Sequence, residues 1–154
     1  MTPTERAQLI ERYMDGYRVI VEALDGAEGD ALDVREAPGE WSPREIIHHL
    51  ADSEMTSAMR IRRLIVEDNP LIQGYDQEAF AAQLWYDRPI ENSLEAFRLA
   101  RATSAELLTR MSDSDWQRAG THSESGPYSA ENWLRIYAEH AHEHADQIRR
   151  ARSA

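Results

Sequence analysis

Five of the six histidines in this chain fall in two groups: His48 and His49 within IIHHLADSE, and His140, His142 and His144 within AEHAHEHADQI. Imidazole is a common ligand for divalent metals, so the question is which of these rings can meet. In a strand, whose side chains alternate, all three of the later histidines would share a face. In a helix, at roughly 100° per residue, His140 and His144 share a face and His142 points nearly opposite. The elements around them decide.

Composition narrows the chemistry first. There is no cysteine, which removes disulfides, zinc thiolates and a cysteine nucleophile, and fits the cytoplasm. The net charge is −11, and all positive charge is arginine, because the chain lacks lysine. An acidic surface repels phosphate backbones, so a nucleic-acid partner is not expected. Missing lysine also removes Schiff-base chemistry and the lysine of a phosphate-binding loop. No apolar run approaches the roughly 20 residues a bilayer requires, so no membrane span is expected. The charged, amphipathic start MTPTERAQLIERY is unlike a secretory signal. A length of 154 residues predicts one domain over 1–154.

Hydrophobic periodicity predicts helices. Leu9, Ile10, Tyr13, Tyr17, Ile20, Val21 and Leu24 recur at three- and four-residue steps, predicting a helix from about Thr4 to Leu24 that DGAEGD stops. In WSPREIIHHLADSE, Ser42 can cap, Pro43 suits the first helical position, and Glu45 completes a capping box. The second helix then reaches Val66. A short helix is expected within QEAFAAQLWY, and a long one from about Ser93 to Met111. The loop SDSDWQRAGTHSESGPYS leads to a last helix over about Ala130 to Arg150. Four long amphipathic helices with little or no sheet make an all-α four-helix bundle.

On the last helix, Trp133, Tyr137, Ala141 and Ile148 form the inward stripe, and His140 and His144 continue it while His142 falls on the polar side. His140 and His144 are therefore an i, i+4 pair able to share one ion. A histidine on an apolar stripe is ordinarily a hydrogen-bonded core residue, so the metal reading needs a third ligand. His48 and His49 flank their stripe equally, and periodicity does not choose between them. His122 lies in a predicted loop, where exposure is expected.

Two charges stand on apolar stripes: Glu54 on the second helix and Arg101 on the fourth. Either they form a buried ion pair, or Arg101 holds a substrate carboxylate and Glu54 acts as a general base. Asp52 is expected at the surface or supporting a histidine N–H. Trp41 should pack at the helix start. Trp85 and Tyr86 suit a pocket mouth or, preferably, the interface of a homodimer.

Taken in order, the Trp-Ser-Pro-x-Glu helix start, His-Leu-Ala-Asp, the Gly-Pro-Tyr-Ser lead and the final His-x-x-x-His with Gln-Ile resemble the DinB-like superfamily, especially its YfiT-like candidate metal-dependent hydrolases. The resemblance spans roughly residues 4 to 150. It implies an up-down-down-up bundle with a three-histidine site for a divalent metal, commonly zinc or nickel. Carried over, the ligands are His49, His140 and His144, which leaves His48 at the surface or supporting a ligand. Three imidazoles leave a coordination position open. The resemblance thus implies a hydrolase or a transferase of low-molecular-weight thiols acting on a small-molecule substrate; the alternative is a noncatalytic binding bundle.

Overall fold

The computed structural model describes residues 1–154. Three of its long helices open on side-chain caps written into the sequence. Helix α1 (Pro3–Leu24) follows Thr2, whose hydroxyl accepts from Glu5 N–H while the Glu5 carboxylate accepts from Thr2 N–H. Helix α2 (Pro43–Val66) repeats the device with Ser42 and Glu45, and α6 (Ala130–Ser153) does so with Ser129 and Asn132. Each closes two of the amide donors that a helix start leaves without partners. Helix α1 ends at Asp25, which turns left-handed at φ 35°. Between these lie α3 (Gln77–Gln83), α4 (Glu91–Leu108) and the single turn α5 (Asp113–Trp116).

The side-chain pairings fix the direction of each helix. Tyr13 meets Trp133, Arg12 pairs with Glu139 and Arg152 donates to the Ala23 carbonyl, so α1 and α6 are parallel neighbours. His48 meets Ser93 and Arg62 meets Ser104, so α2 and α4 are parallel too. His49 meets His140, and eight residues further along α2 the Ser57 carbonyl accepts from Trp133, which makes α2 antiparallel to α6. Tyr17 against Phe97, with Arg101 on the Tyr13 carbonyl, makes α1 antiparallel to α4. The result is the up-down-down-up bundle. Parallel neighbours cannot be joined by a tight turn, which is why the connection from α2 to α4 is long.

The predicted loop over 112–129 contains more structure than periodicity shows. Strand β2 (Ala119–His122) pairs antiparallel with β3 (Gly126–Ser129) and parallel with the two-residue β1 (Leu71–Ile72). This small sheet ties together the crossovers that precede α4 and α6. Strands of two to four residues are too short for alternation to register in sequence. Gly120 allows the close approach, because a Cβ there would lie 2.3 Å from the Pro70 carbonyl oxygen.

The core is divided along the bundle. One apolar cluster gathers Ile61, Leu64, Leu108 and Trp133, and the other Ile20, Ile46, Leu50, Phe97 and Ile148. Between them in every long helix sits a polar layer. The Arg101 guanidinium donates to the Glu54 carboxylate and to the carbonyls of Tyr13 and Tyr137, both at 2.6 Å. Glu54 also accepts from the Tyr13 hydroxyl and from Ser57. Arg101 and Glu54 are 2% and 0% exposed, so the ion-pair reading of these two charges describes their arrangement. Gly16 makes the space: a Cβ there would lie 2.6 Å from Arg101 Nε and 2.8 Å from the Ala141 Cβ.

Candidate metal centre

The antiparallel pairing of α2 and α6 sets His49 opposite His140 and His144. The Nε2 atom of His140 lies 3.3 Å from that of His49 and 3.2 Å from that of His144. Each ring offers one ligand atom to this cluster, and all three lie within 4.8 Å of one another. Two nitrogens bound to one zinc at about 2.05 Å with tetrahedral angles stand about 3.3 Å apart, so the spacing fits a shared ion. Hydrogen bonding among the rings does not account for it, since three converging Nε2 atoms cannot all be satisfied by one another. No aspartate or glutamate joins the three.

Burial prepares the rings as ligands. Loss of hydration holds His49 down to about 3, with the nearby His144 adding to the effect. The same loss of hydration lowers His140, helped by His144, His49 and Arg101, and lowers His144. A ligand imidazole must be neutral, and these are kept neutral. His144 Nδ1 donates to Gln147 Oε1 at 2.9 Å, which directs its Nε2 lone pair at the cluster. Trp41, packed just before the helix start as expected, lays its ring 4.7 Å from that of His49. Tyr137 meets His140 edge-on.

His48 departs from expectation. It is fully buried rather than at the surface, and it bridges Ser93 Oγ at 2.7 Å and the Arg88 carbonyl at 3.0 Å. The reason is that α2 packs on α4 as well as α6, so both flanks of its stripe are covered. His142 lies on the outer face against the Arg12 carbonyl. Asp52 accepts a 2.6 Å hydrogen bond from Tyr86, which is buried, and serves no histidine. Trp85 is 74% exposed.

A depression of about 210 Å³ opens onto the imidazoles between α2 and α6. His49 and His140 line it, together with Ser53, Arg60, Tyr137, His122 and Glu124 among others. Another, of about 320 Å³, reaches His144 and Gln147 from the Trp41 side. Glu54 and Arg101 line neither. Arg60, His122 and Gln147 are additions to the residues singled out from sequence. Only Gln147 left a signal there, one helical turn after His144 on the same face.

Relatives carry the same architecture. A model of the DinB superfamily matches residues 13–148. A candidate metal-dependent hydrolase of Oceanobacillus iheyensis is 34% identical over 131 residues, covering 85% of this chain and 76% of its own. YfiT of Bacillus subtilis, named in the same way, is 28% identical over 144 residues, 92% and 79% of the two chains. The solved structure of YfiT, described as a "probable metal-dependent hydrolase with an unusual four-helix bundle topology", superposes with a TM-score of 0.90 at 25% identity. That superposition covers 96% of this chain and 86% of that one. With the same crossed-over bundle and a family match across nearly its whole length, the chain belongs to the DinB superfamily.

Proposed function

We propose that this protein is a metal-dependent hydrolase of small molecules, with His49, His140 and His144 holding one divalent ion through Nε2. The observation that carries the reading is the convergence of three imidazoles without a carboxylate, His49 and His140 at the wall of one open depression and His144 at that of another. A closed structural site takes four protein ligands, whereas three with solvent access belong to catalysis. Neutral nitrogen donors suit zinc or nickel. A divalent ion held there supplies Lewis acidity, which polarises a carbonyl and acidifies water or a thiol. The chain's own part is to keep the rings neutral by burial, to aim His144 through Gln147, and to hold α2 against α6. Glu54 and Arg101 contribute to the last of these from the bundle interior.

The test is metal content of untagged protein by mass spectrometry, followed by ester and amide hydrolysis assays. Zinc, nickel, manganese and iron are loaded separately, each with and without low-molecular-weight thiols. One equivalent of metal and turnover that His140→Ala and His144→Ala both abolish are the expected result. Turnover of electrophiles only when a thiol is present would make the protein a thiol S-transferase instead. Stoichiometric metal with no turnover favours a binding bundle, and activity surviving loss of both histidines places the chemistry elsewhere.

A further inference from the structure

Arg60 is the arginine of the depression that opens onto His49 and His140, and its charge is not neutralised. By contrast, Arg63 on the same helix pairs with Glu67, and Arg101 in the core pairs with Glu54. Arg60 instead donates one N–H to the Tyr137 hydroxyl at 3.0 Å and one to the Gln73 carbonyl at 2.8 Å, both uncharged. The side chain is half-buried, in a protein with eleven more negative than positive charges. A guanidinium fixed by two neutral acceptors, with donors left over and no carboxylate, is an anion site waiting for its anion.

The placement relates it to the three imidazoles. Arg60 lies three helical turns after His49, about 16 Å along the axis, and helical side chains lean back toward the N-terminus. Its partner Tyr137 in turn packs against His140, with ring centroids 5.8 Å apart. The Arg60 guanidinium and the His49 and His140 imidazoles thus line one depression, separated along α2. His122 adds a second donor: its Nδ1 accepts from the backbone N–H groups of Glu124 and Ser125, which leaves the proton on Nε2. Glu124 is the one acid of this wall, exposed at the rim and unpaired with Arg60. At about 210 Å³ the space is below the roughly 300–1,000 Å³ of drug-sized pockets, so the occupant is small.

We infer that Arg60 is a specificity-determining residue, selecting small substrates that carry an anionic group, carboxylate or phosphate, at the end remote from the bond to be cleaved. The inference rests on the three-imidazole site being a hydrolytic metal centre.

Binding separates the two. Three hydroxamates of one chain length are titrated calorimetrically into zinc-loaded protein, ending in a methyl, a carboxylate or a phosphonate. The hydroxamate end reports on the metal and the far end on Arg60. In the native chain an anionic end should tighten binding about tenfold or more, and the better anion names the class. Arg60→Met should abolish that gain and leave affinity for the neutral probe and zinc uptake unchanged. Arg60→Gln serves if the methionine variant fails to fold. Equal affinities for all three probes, or a gain that survives Arg60→Met, overturns the inference and leaves the metal centre standing. Failure of the neutral probe to bind overturns both.

Discussion

His144 and Gln147, one turn apart on α6, are joined by a 2.9 Å hydrogen bond from Nδ1 to Oε1. It is the only protein contact to an Nδ1 atom in the cluster, because those of His49 and His140 are buried without partners. One ring is therefore aimed by a hydrogen bond and two by packing. Gln147→Ala should weaken zinc affinity by about 10-fold or more, the usual cost of removing such a support, with little change in unfolding midpoint. Competition titration against a chromophoric chelator measures it.

Replacing His49, His140 or His144 with alanine should lower metal affinity far more than replacing His122 or His142. His48→Ala should behave differently from both groups. It leaves affinity intact but strands Ser93 and the Arg88 carbonyl in the interior, costing about 1–3 kcal/mol. Urea unfolding beside a zinc titration distinguishes the two kinds of loss. If His48→Ala abolishes binding while His49→Ala does not, the ligand assignment is wrong.

The pH dependence of the metal-free protein follows from the lowered histidines. Below about pH 6.5 the unfolded chain takes up protons that the buried rings refuse, so stability falls as pH falls. For His49 the fall continues to about pH 3, where the folded ring protonates as well; at pH 5 its share is about 2 kcal/mol. Denaturant unfolding at pH 7, 6 and 5 should show this slope, and a His49→Gln variant should flatten it. A slope unchanged by that substitution would mean the ring is not held neutral.

Glu54→Ala or Arg101→Ala alone should cost about 3–5 kcal/mol, since each leaves a charge buried without its partner. Replacing both with apolar residues of similar size should recover much of the loss. Chemical denaturation of the singles and the double checks this. Turnover lost by a well-folded Glu54→Gln variant would instead give Glu54 a part in proton handling.

Much of this was legible in the sequence, for physical reasons. Ser42, with Pro43 and Glu45 behind it, marked the start of α2, and stripes at 3.6-residue period marked four long helices. Helices α1 and α2 fell within one residue of expectation, while the ends of α4 and α6 moved by two or three, to Glu91–Leu108 and to Ser153. His140 and His144 were readable because one helix sets their spacing. His49 was not readable from periodicity, since its meeting with them depends on how α2 packs across 91 residues of chain. Arg60 and His122 were hidden for the same reason: one reads as an outer-face arginine and the other as a loop residue until the crossovers bring them to one wall.

The polar layer that splits the core has a consequence for accuracy. Apolar helices can slide along one another at little cost, but a slip of one turn, about 5.4 Å, would move Arg101 off Glu54 and into hydrocarbon. The layer therefore acts as a registration key for the bundle. Its two contacts on α2 and α6, Glu54 and the Tyr137 carbonyl, stand five residues from His49 and three from His140. Imidazoles that must converge to within tenths of an ångström are thus indexed by a neighbouring charge pair. A chain that kept all three histidines but lost that key would retain the ligands and lose their alignment.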